Sequence, residues 1–294
     1  MAPLFGIIIV CCAVIGGFAL ENGRLALLVH PTEAVIIGGS AIGVLIASNP
    51  LDLLRKTLWG VLSIFRRQTL NKAYYLSSLV MLRAVFEYAR RNGATRLEDQ
   101  LDHPEGSTLF RRHAAVTGDP AALNFICDTL RLTSMTRIDP FDLEELFERE
   151  IEAREKELSG PADTMAALAD TLPGLGIVSA VLGVVITMNS LTESPAVIGQ
   201  KVGMALVGTF LGIFLSYGFV GPLAAHLSRL HEAEANYYRV LRASLGAFGK
   251  GLPASIALEF GRRSIPPEFR PDFSEMEAEF RTTARAQEKL LAMP

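Results

Sequence analysis

Two stretches of the chain carry prolines, hydroxyls and small residues without a single charge: residues 171–191 and 202–225. In the first, Pro173, Gly176, Ala180, Gly183 and Thr187 recur at spacings of 3, 4, 3 and 4. In the second, Ala205, Thr209, Gly212 and Ser216 follow at 4, 3 and 4. Such spacings place each set on one helix face. Small residues let helix backbones approach closely in lipid, whose tails are as apolar as leucine. Gly199-xxx-Gly203 and Gly208-xxx-Gly212 repeat the pattern, and plain helix packing accounts for the glycines. The prolines add chemistry. Pro173 and Pro222 each remove a helix hydrogen bond, and the freed carbonyl needs a partner that lipid cannot supply. Pro173 in a first turn costs little, and Pro222 can end its helix. As a pair at one membrane face they read as a hinge or an ion-access vestibule.

Other chemistries find no support. Cys11, Cys12 and Cys127 are odd in number and lack CxxC spacing, so neither a disulfide framework nor a zinc site follows. The five histidines form no HExxH, and no GxxxxGK[ST] loop occurs. With no nucleophile–base constellation and no cofactor motif, the chain does not read as an enzyme. A formal net charge of -3 argues against nucleic-acid binding, which normally calls for a basic surface. An ion-driven device needs an ionisable group within the membrane, and the four apolar segments have none in their cores. Glu33 and Asp170 read as lying at segment ends. Either the chain is inert in the membrane or a partner supplies the acid.

Each charge-free run has about the 20 residues needed to cross a hydrocarbon core of roughly 30 Å. The turn between them is too short to be a domain, so they predict an antiparallel hairpin. Residues 3–20 lack a basic n-region and an AxA-like cleavage site, so they read as a retained helix rather than a signal peptide. A second span covers 34–48, extends back to Pro31 and stops at Asn49-Pro50, because the residue before proline leaves the helical region. Gly39-xxx-Gly43 gives it a small face. The expectation is an all-α membrane protein with four transmembrane helices at 1–20, 31–49, 166–192 and 201–225. A helical cytoplasmic domain at 50–165 lies between the second and third, and a helical cytoplasmic tail at 226–294 follows the fourth. Residues 50–165 hold 16 lysines and arginines and 226–294 hold 10, against Arg24 and Lys201 alone in the two short turns. Positive charge marks the cytoplasmic side, so both termini belong there.

Within 50–165, an amphipathic stretch from Leu53 to Phe65 puts Trp59 at the headgroup level, with Arg66 and Arg67 following in water. A helix from Asn71 to Arg91 stops at Asn92-Gly93, a good C-cap pair, and buries Leu76, Leu79, Val80, Leu82, Val85 and Phe86. Another begins near Pro120. A further one starts with Asp139 as N-cap and Pro140 at the first helical position, and Gly160-Pro161 then breaks the chain. Arg90, Arg91, Arg96, Glu98 and Asp99 cluster at a helix end and its loop, where the arginines complement the helix dipole. In the tail, residues 226–250 continue the fourth helix, and Ile265-Pro266-Pro267 with Pro271 makes a stiff linker. Phe273, Met276 and Phe280 then form one apolar stripe that docks on the cytoplasmic domain.

DTLPGLGIVSAVLGVV followed by VGTFLGIFLSYGFVGPLA resembles the third and fourth membrane helices of the flagellar motor stator protein A (MotA) family, in the MotA/TolQ/ExbB superfamily. HPTEAVIIGGSAIGVLIASNP resembles that family's second membrane segment, and SIALEFGRRS a stretch after the fourth. The resemblance implies a flagellar motor stator subunit in the bacterial inner membrane that conducts ions and turns the flow into torque. It implies a stator protein B (MotB) partner bringing a transmembrane aspartate and a peptidoglycan anchor, in a ring of five A subunits around two B subunits, set in membrane lipid. It places Pro173, Ala180, Thr209 and Pro222 on the ion pathway and its coupling. It also turns Arg90 and Glu98 towards a rotor switch-complex protein of the FliG type. Sodium-driven relatives carry a hydroxyl at the position of Ala180, so alanine there favours H+ over Na+, although Ser179 stands beside it. No cofactor is implied. The rival readings are an ExbB/TolQ-like energy transducer, a class that usually has three spans, and a non-conducting membrane scaffold.

Overall fold

A computed structural model of the chain describes residues 2–291 apart from 24, 29–30, 66–69, 108, 112, 136–137 and 190–191. Among the described residues there are twelve α-helices and no strand. They are α1 (Ala2–Leu20), α2 (Pro31–Ser48), α3 (Leu51–Ser63), α4 (Lys72–Asn92), α5 (Ala94–Asp102), α6 (Ala114–Thr117), α7 (Pro120–Met135) and α8 (Pro140–Met188). After these come α9 (Pro195–Leu215), α10 (Gly221–Gly249), α11 (Ala254–Ser264) and α12 (Phe273–Leu291). A 3₁₀ turn, Leu25–Leu28, precedes α2, and a π turn, Ser216–Val220, joins α9 to α10. Among the described residues, four helical stretches are long and apolar enough to cross a membrane: Pro3–Leu20, Leu25–Ser48, and parts of Pro140–Met188 and Pro195–Gly249.

The chain divides into two compact units. The apolar unit comprises Met1–Arg67 and Lys156–His231. Its centre is a cluster of Ile37 and Ala41 from α2 with Leu172 from α8, bordered by Leu211 and Leu215 of α9. Residues that face outward are just as apolar, Ile177, Val181 and Val185 among them, as expected of helices surrounded by hydrocarbon. A second cluster joins Ile64, Ala162 and Leu227. Trp59 stands exposed on α3, and Arg66 and Arg67 lie outside the described residues. The expected break at Gly160-Pro161 does not occur, since α8 runs through both residues. Leu53 of α3 explains the pair: its Cδ1 lies 3.0 Å from where a Gly160 Cβ would stand. The glycine admits a neighbouring helix instead of turning the chain. The Thr164 hydroxyl donates to the Gly160 carbonyl at 2.9 Å, which supports the backbone there. Gly39 and Gly43 meet nothing within 4 Å, so among the described residues the small face expected on α2 is not used for packing.

The polar unit comprises Gln68–Glu155 and Glu232–Pro294. Its core contains the fully buried Tyr75, Phe86, Phe110, Phe147 and Tyr237. Phe86 stacks on Phe248 with centroids 4.1 Å apart. Helix α4 is fixed at both ends: Asn71 accepts a hydrogen bond from the Tyr74 amide, and Gly93 takes a φ of 81° that a side chain would resist. The charged stretch after it is a helix rather than a loop. Leu97 and Leu101, one turn apart on α5, are both buried, and side-chain burial worth about 1.5–3 kcal/mol each outweighs weak local propensity. Met276 and Phe280 dock α12 into this core while Phe273 stays exposed. The proline-rich linker is bracketed by arginines: Arg262 donates to the Pro271 carbonyl, and Arg270 donates to those of Ile265 and Arg263.

Helix α11 carries an ion cluster of its own. Glu259 pairs with Arg262 at 2.7 Å and with Arg263 at 2.8 Å. Hydrogen bonds from Arg262, then from Arg263, hold its carboxyl down at about 2, against an ordinary value of 4.5. Pairing favours the charged form, so its stabilisation is complete above pH 4.5 and is lost as pH falls towards 2. Glu259→Gln should therefore cost roughly 1–2 kcal/mol at neutral pH after allowance for solvent screening. Hydrogen exchange of the α11 amides in the full chain measures it, and the difference from the parent should shrink steadily as the medium is acidified below pH 4.5.

Candidate functional site

The small-residue stripes of α8 and α9 face one another. A Cβ on Gly176 would come within 2.8 Å of the Gly208 carbonyl oxygen and 3.0 Å of the Gly212 Cα. One on Gly183 would meet the Ala205 Cβ at 2.7 Å, and one on Gly212 the Leu172 carbonyl at 2.6 Å. The two backbones touch along three turns, and only glycine permits it. By contrast, Gly199 and Gly203 meet nothing within 4 Å, so that repeat does not belong to this interface.

Neither of the two low-cost placements open to the prolines holds. Pro173 lies deep inside α8 rather than in a first turn. Its ring nitrogen cannot donate to the carbonyl four residues earlier, that of Ala169. The Ser216 hydroxyl, buried at the start of the π turn, donates to that carbonyl at 2.6 Å. The fourth span thus supplies the bond that the third span's proline removed. Pro222 does not end its helix, because α10 continues to Gly249. The π turn just before it absorbs the irregularity, with the Gly221 amide reaching back to the Ser216 carbonyl. With Ser216 and Ala169 level and the helices antiparallel, Pro173 and Pro222 fall on opposite sides of the bond. At 1.5 Å per residue they stand roughly 6 Å and 9 Å from it. They flank a cross-link.

Ala180 is buried, its backbone nitrogen 3.1 Å from where a Gly208 Cβ would stand. Thr209 is half-buried and turns its Cα to Gly176. The structure therefore gathers Pro173, Ala180 and Thr209 along one helix pair and leaves Pro222 exposed beyond it. Glu33 lies at the start of its segment, as expected, yet it is not at the surface. It is 7% exposed, accepts a hydrogen bond from the fully buried Ser179, and has Oε2 2.8 Å from the position of a Gly208 Cβ. Ser179 lies eight residues after Thr171 and nine before Met188, so Glu33, in the first turn of α2, sits beside the middle of the uncharged run of α8. Asp170 is exposed.

Residues 4–93 match the motility protein A N-terminal family, and residues 121–240 match the MotA/TolQ/ExbB proton channel family. Motility protein A of Escherichia coli (strain K12) is 35% identical over 289 residues, 98% of this chain and 98% of that protein. That of Salmonella typhimurium is 34% identical over 281 residues, 96% and 95% of the two chains. The chain belongs to the motility protein A (MotA) family. The fold agrees: the C. jejuni MotAB structure superposes with a TM-score of 0.72 at 16% identity, covering 91% of this chain and 96% of that one. The family is one of proton channels rather than enzymes, and the four apolar helices make this MotA-family chain a multi-pass membrane protein.

The remaining candidates lie in the polar unit. Arg90, at the end of α4, donates to the carbonyls of Gly251 and Leu252, both at 3.0 Å. It closes the turn after α10 instead of serving only its own helix. Glu98 lies on α5, half-buried, between the buried Leu97 and the exposed Asp99. Sequence reasoning missed Ser216, whose hydroxyl closes the Pro173 gap, and Glu33, whose depth depends on how α2 is offset against α8. A signal for Ser216 was present in its place on the second stripe.

Ser216→Ala should leave the Ala169 carbonyl without its donor and cost about 1–3 kcal/mol. Pro173→Ala restores an amide that can donate to that carbonyl, so the Ser216→Ala penalty should shrink in that background. A double-mutant cycle on unfolding in lipid or detergent measures the coupling.

Proposed function

We propose that the chain is the A subunit of a flagellar motor stator, conducting protons with a MotB-type partner and converting the flow into torque on the rotor. The observation that carries this reading is the MotA-family match along nearly the whole chain, joined to a close-packed, charge-free helix pair bridged by Ser216 and Ala169. The match at residues 4–93 favours the motor branch over an ExbB/TolQ-like transducer. The chain then resides in the bacterial inner membrane with both termini in the cytoplasm, a topology its lysine and arginine distribution supports. Five copies surround two partner subunits, and the exposed Ile177, Val181 and Val185 offer apolar surface to neighbours and lipid.

In this reading protons move down the membrane potential, worth about 2.3 kcal/mol per charge per 100 mV. They neutralise an aspartate of the partner beside the region of Pro173, Ala180 and Thr209. Losing that buried charge relaxes helix packing, with the flanks of the Ser216 bond, Pro173 and Pro222, as flexing points. Thr209 lines the route, and alanine at position 180 suits H+ better than Na+. Arg90 and Glu98 meet a FliG-type rotor protein through steering and register rather than buried area.

Vesicles holding the chain together with its acid-bearing partner should take up protons when a potential is imposed, and vesicles holding the chain alone should not. Equal, negligible uptake by both would leave a scaffold. Reversing both charges, Arg90→Glu with Glu98→Arg, should abolish swimming in cells while leaving membrane insertion and proton uptake intact. Normal swimming by that double variant would remove the rotor assignment.

A further inference from the structure

The most unusual side chain in the apolar unit is Glu33. It occupies the first turn of α2 yet is buried against two other helices, Ser179 of α8 donating to its Oε2 and the Gly208 backbone of α9 lying alongside. Its depth follows from a second contact at the opposite end of α2. There the Thr164 hydroxyl of α8, whose shorter bond goes to the Gly160 carbonyl, lies 3.3 Å from Asn49 Oδ1. From Asn49 back to Glu33 is sixteen residues and from Thr164 to Ser179 fifteen. At 1.5 Å per residue these are about 24 Å and 22 Å, so the two helices run side by side over that length. The third span continues roughly 13 Å past Ser179 to Met188. A carboxyl so placed is largely buried, and ionisable groups at such positions are normally functional.

Among the described residues the surroundings supply no second acid. Residues 171–188 of α8 are uncharged, and the 3₁₀ turn Leu25–Leu28 and the rest of α2 carry no ionisable group. Below, Asp170 is exposed on α8. On α9 the ionisable residue is Lys201, two turns from Gly208 and paired with Glu193 at 3.2 Å. Glu21 stands exposed after α1. His30 and Arg24 precede Glu33 in sequence and lie outside the described residues. Ser179 is the neighbour of Ala180, and Gly208 the neighbour of Thr209, so Glu33 touches the helix pair one residue from each of those positions.

We propose that Glu33 is a proton-binding site contributed by this chain itself, a carboxyl held by Ser179 that takes up and releases H+ beside the ion route. Its place on a route rests on the channel reading above; its titration within the membrane does not. Ser179 donates to the carboxylate and orients it, and the absence of a Cβ on Gly208 leaves room for Oε2. A proton arriving here neutralises the one acid among the described residues that α2 buries, without disturbing the packing of three spans.

The test uses the full chain in lipid nanodiscs and a hydrophobic carbodiimide, which reacts with protonated carboxyl groups. Peptide mass spectrometry should find the adduct on Glu33. Its yield should fall more than tenfold as pH is raised from about 5 to about 9, the range open to displaced carboxyl groups. Ser179→Ala should move the midpoint by about one unit, a tenfold change in proton affinity. No adduct at any pH, or a yield indifferent to pH, overturns the proposal. Protection by sodium chloride at constant pH also overturns it, in favour of a metal-cation site. In vesicles with the acid-bearing partner, Glu33→Gln should slow proton uptake several-fold, and unchanged uptake counts against the proposal. Should Glu33→Gln fail to assemble, labelling of the unsubstituted chain still decides. A chain that conducts nothing while Glu33 titrates sinks the channel reading alone; one that conducts while Glu33 stays unlabelled sinks this site alone.

Discussion

Hydrocarbon offers no hydrogen bonds, and the apolar unit is shaped by that one fact. Each backbone carbonyl exposed by a proline must find a donor on a neighbouring helix. The Ser216 hydroxyl on the Ala169 carbonyl meets this requirement across α8 and the π turn. Satisfying it demands that the helices be close, and closeness demands the glycines. A Cβ at Gly176, Gly183 or Gly212 would sit within 3 Å of the opposing backbone or side chain. Proline, serine and glycine at these positions are therefore one device.

The same constraint explains why the few polar groups in the unit are grouped as they are. Ser179 donates to Glu33, Thr187 turns its hydroxyl to the Gly183 carbonyl, and Thr164 bonds Gly160 and lies near Asn49. Outside the membrane segments the balance changes. The polar unit is organised by an aromatic core and by arginines that collect carbonyls at chain turns, Arg90 at residues 251–252 and Arg270 at residues 263–265. Water competes for every such bond there, so each contributes modestly, and the packed rings carry most of the cohesion.

Local features were legible in the sequence because local chemistry determines them. The caps of α4 at Asn71 and Gly93, the start of α8 after Asp139, and the facing stripes on the last two spans all follow from residue type and spacing. What escaped was set by tertiary offset. Glu33 lies early in its helix, and only the side-by-side alignment of α2 and α8 reveals that this start is level with the middle of a neighbour. Gly160-Pro161 has the composition of a break, but Leu53 needed the glycine for contact. Arg90 has the position of a dipole partner, while its donors are taken by a turn about 160 residues further on. The short amphipathic helix α5 was obscured by its charges.

The π turn at Ser216–Val220 carries a consequence for how the fourth span is phased. A turn closed by i→i+5 bonds holds one residue more than its α-helical equivalent, and one residue corresponds to about 100° around a helix axis. Side chains before the turn and those after it therefore follow two different angular registers along one continuous rod. Leu211 and Leu215 belong to one cluster, and Leu223 and Leu227 to another. A chain lacking a single residue between 216 and 220 would relax to uniform α-helix and carry every later side chain to a different azimuth. The extra residue acts as a stored phase shift, letting one helix address two sets of neighbours.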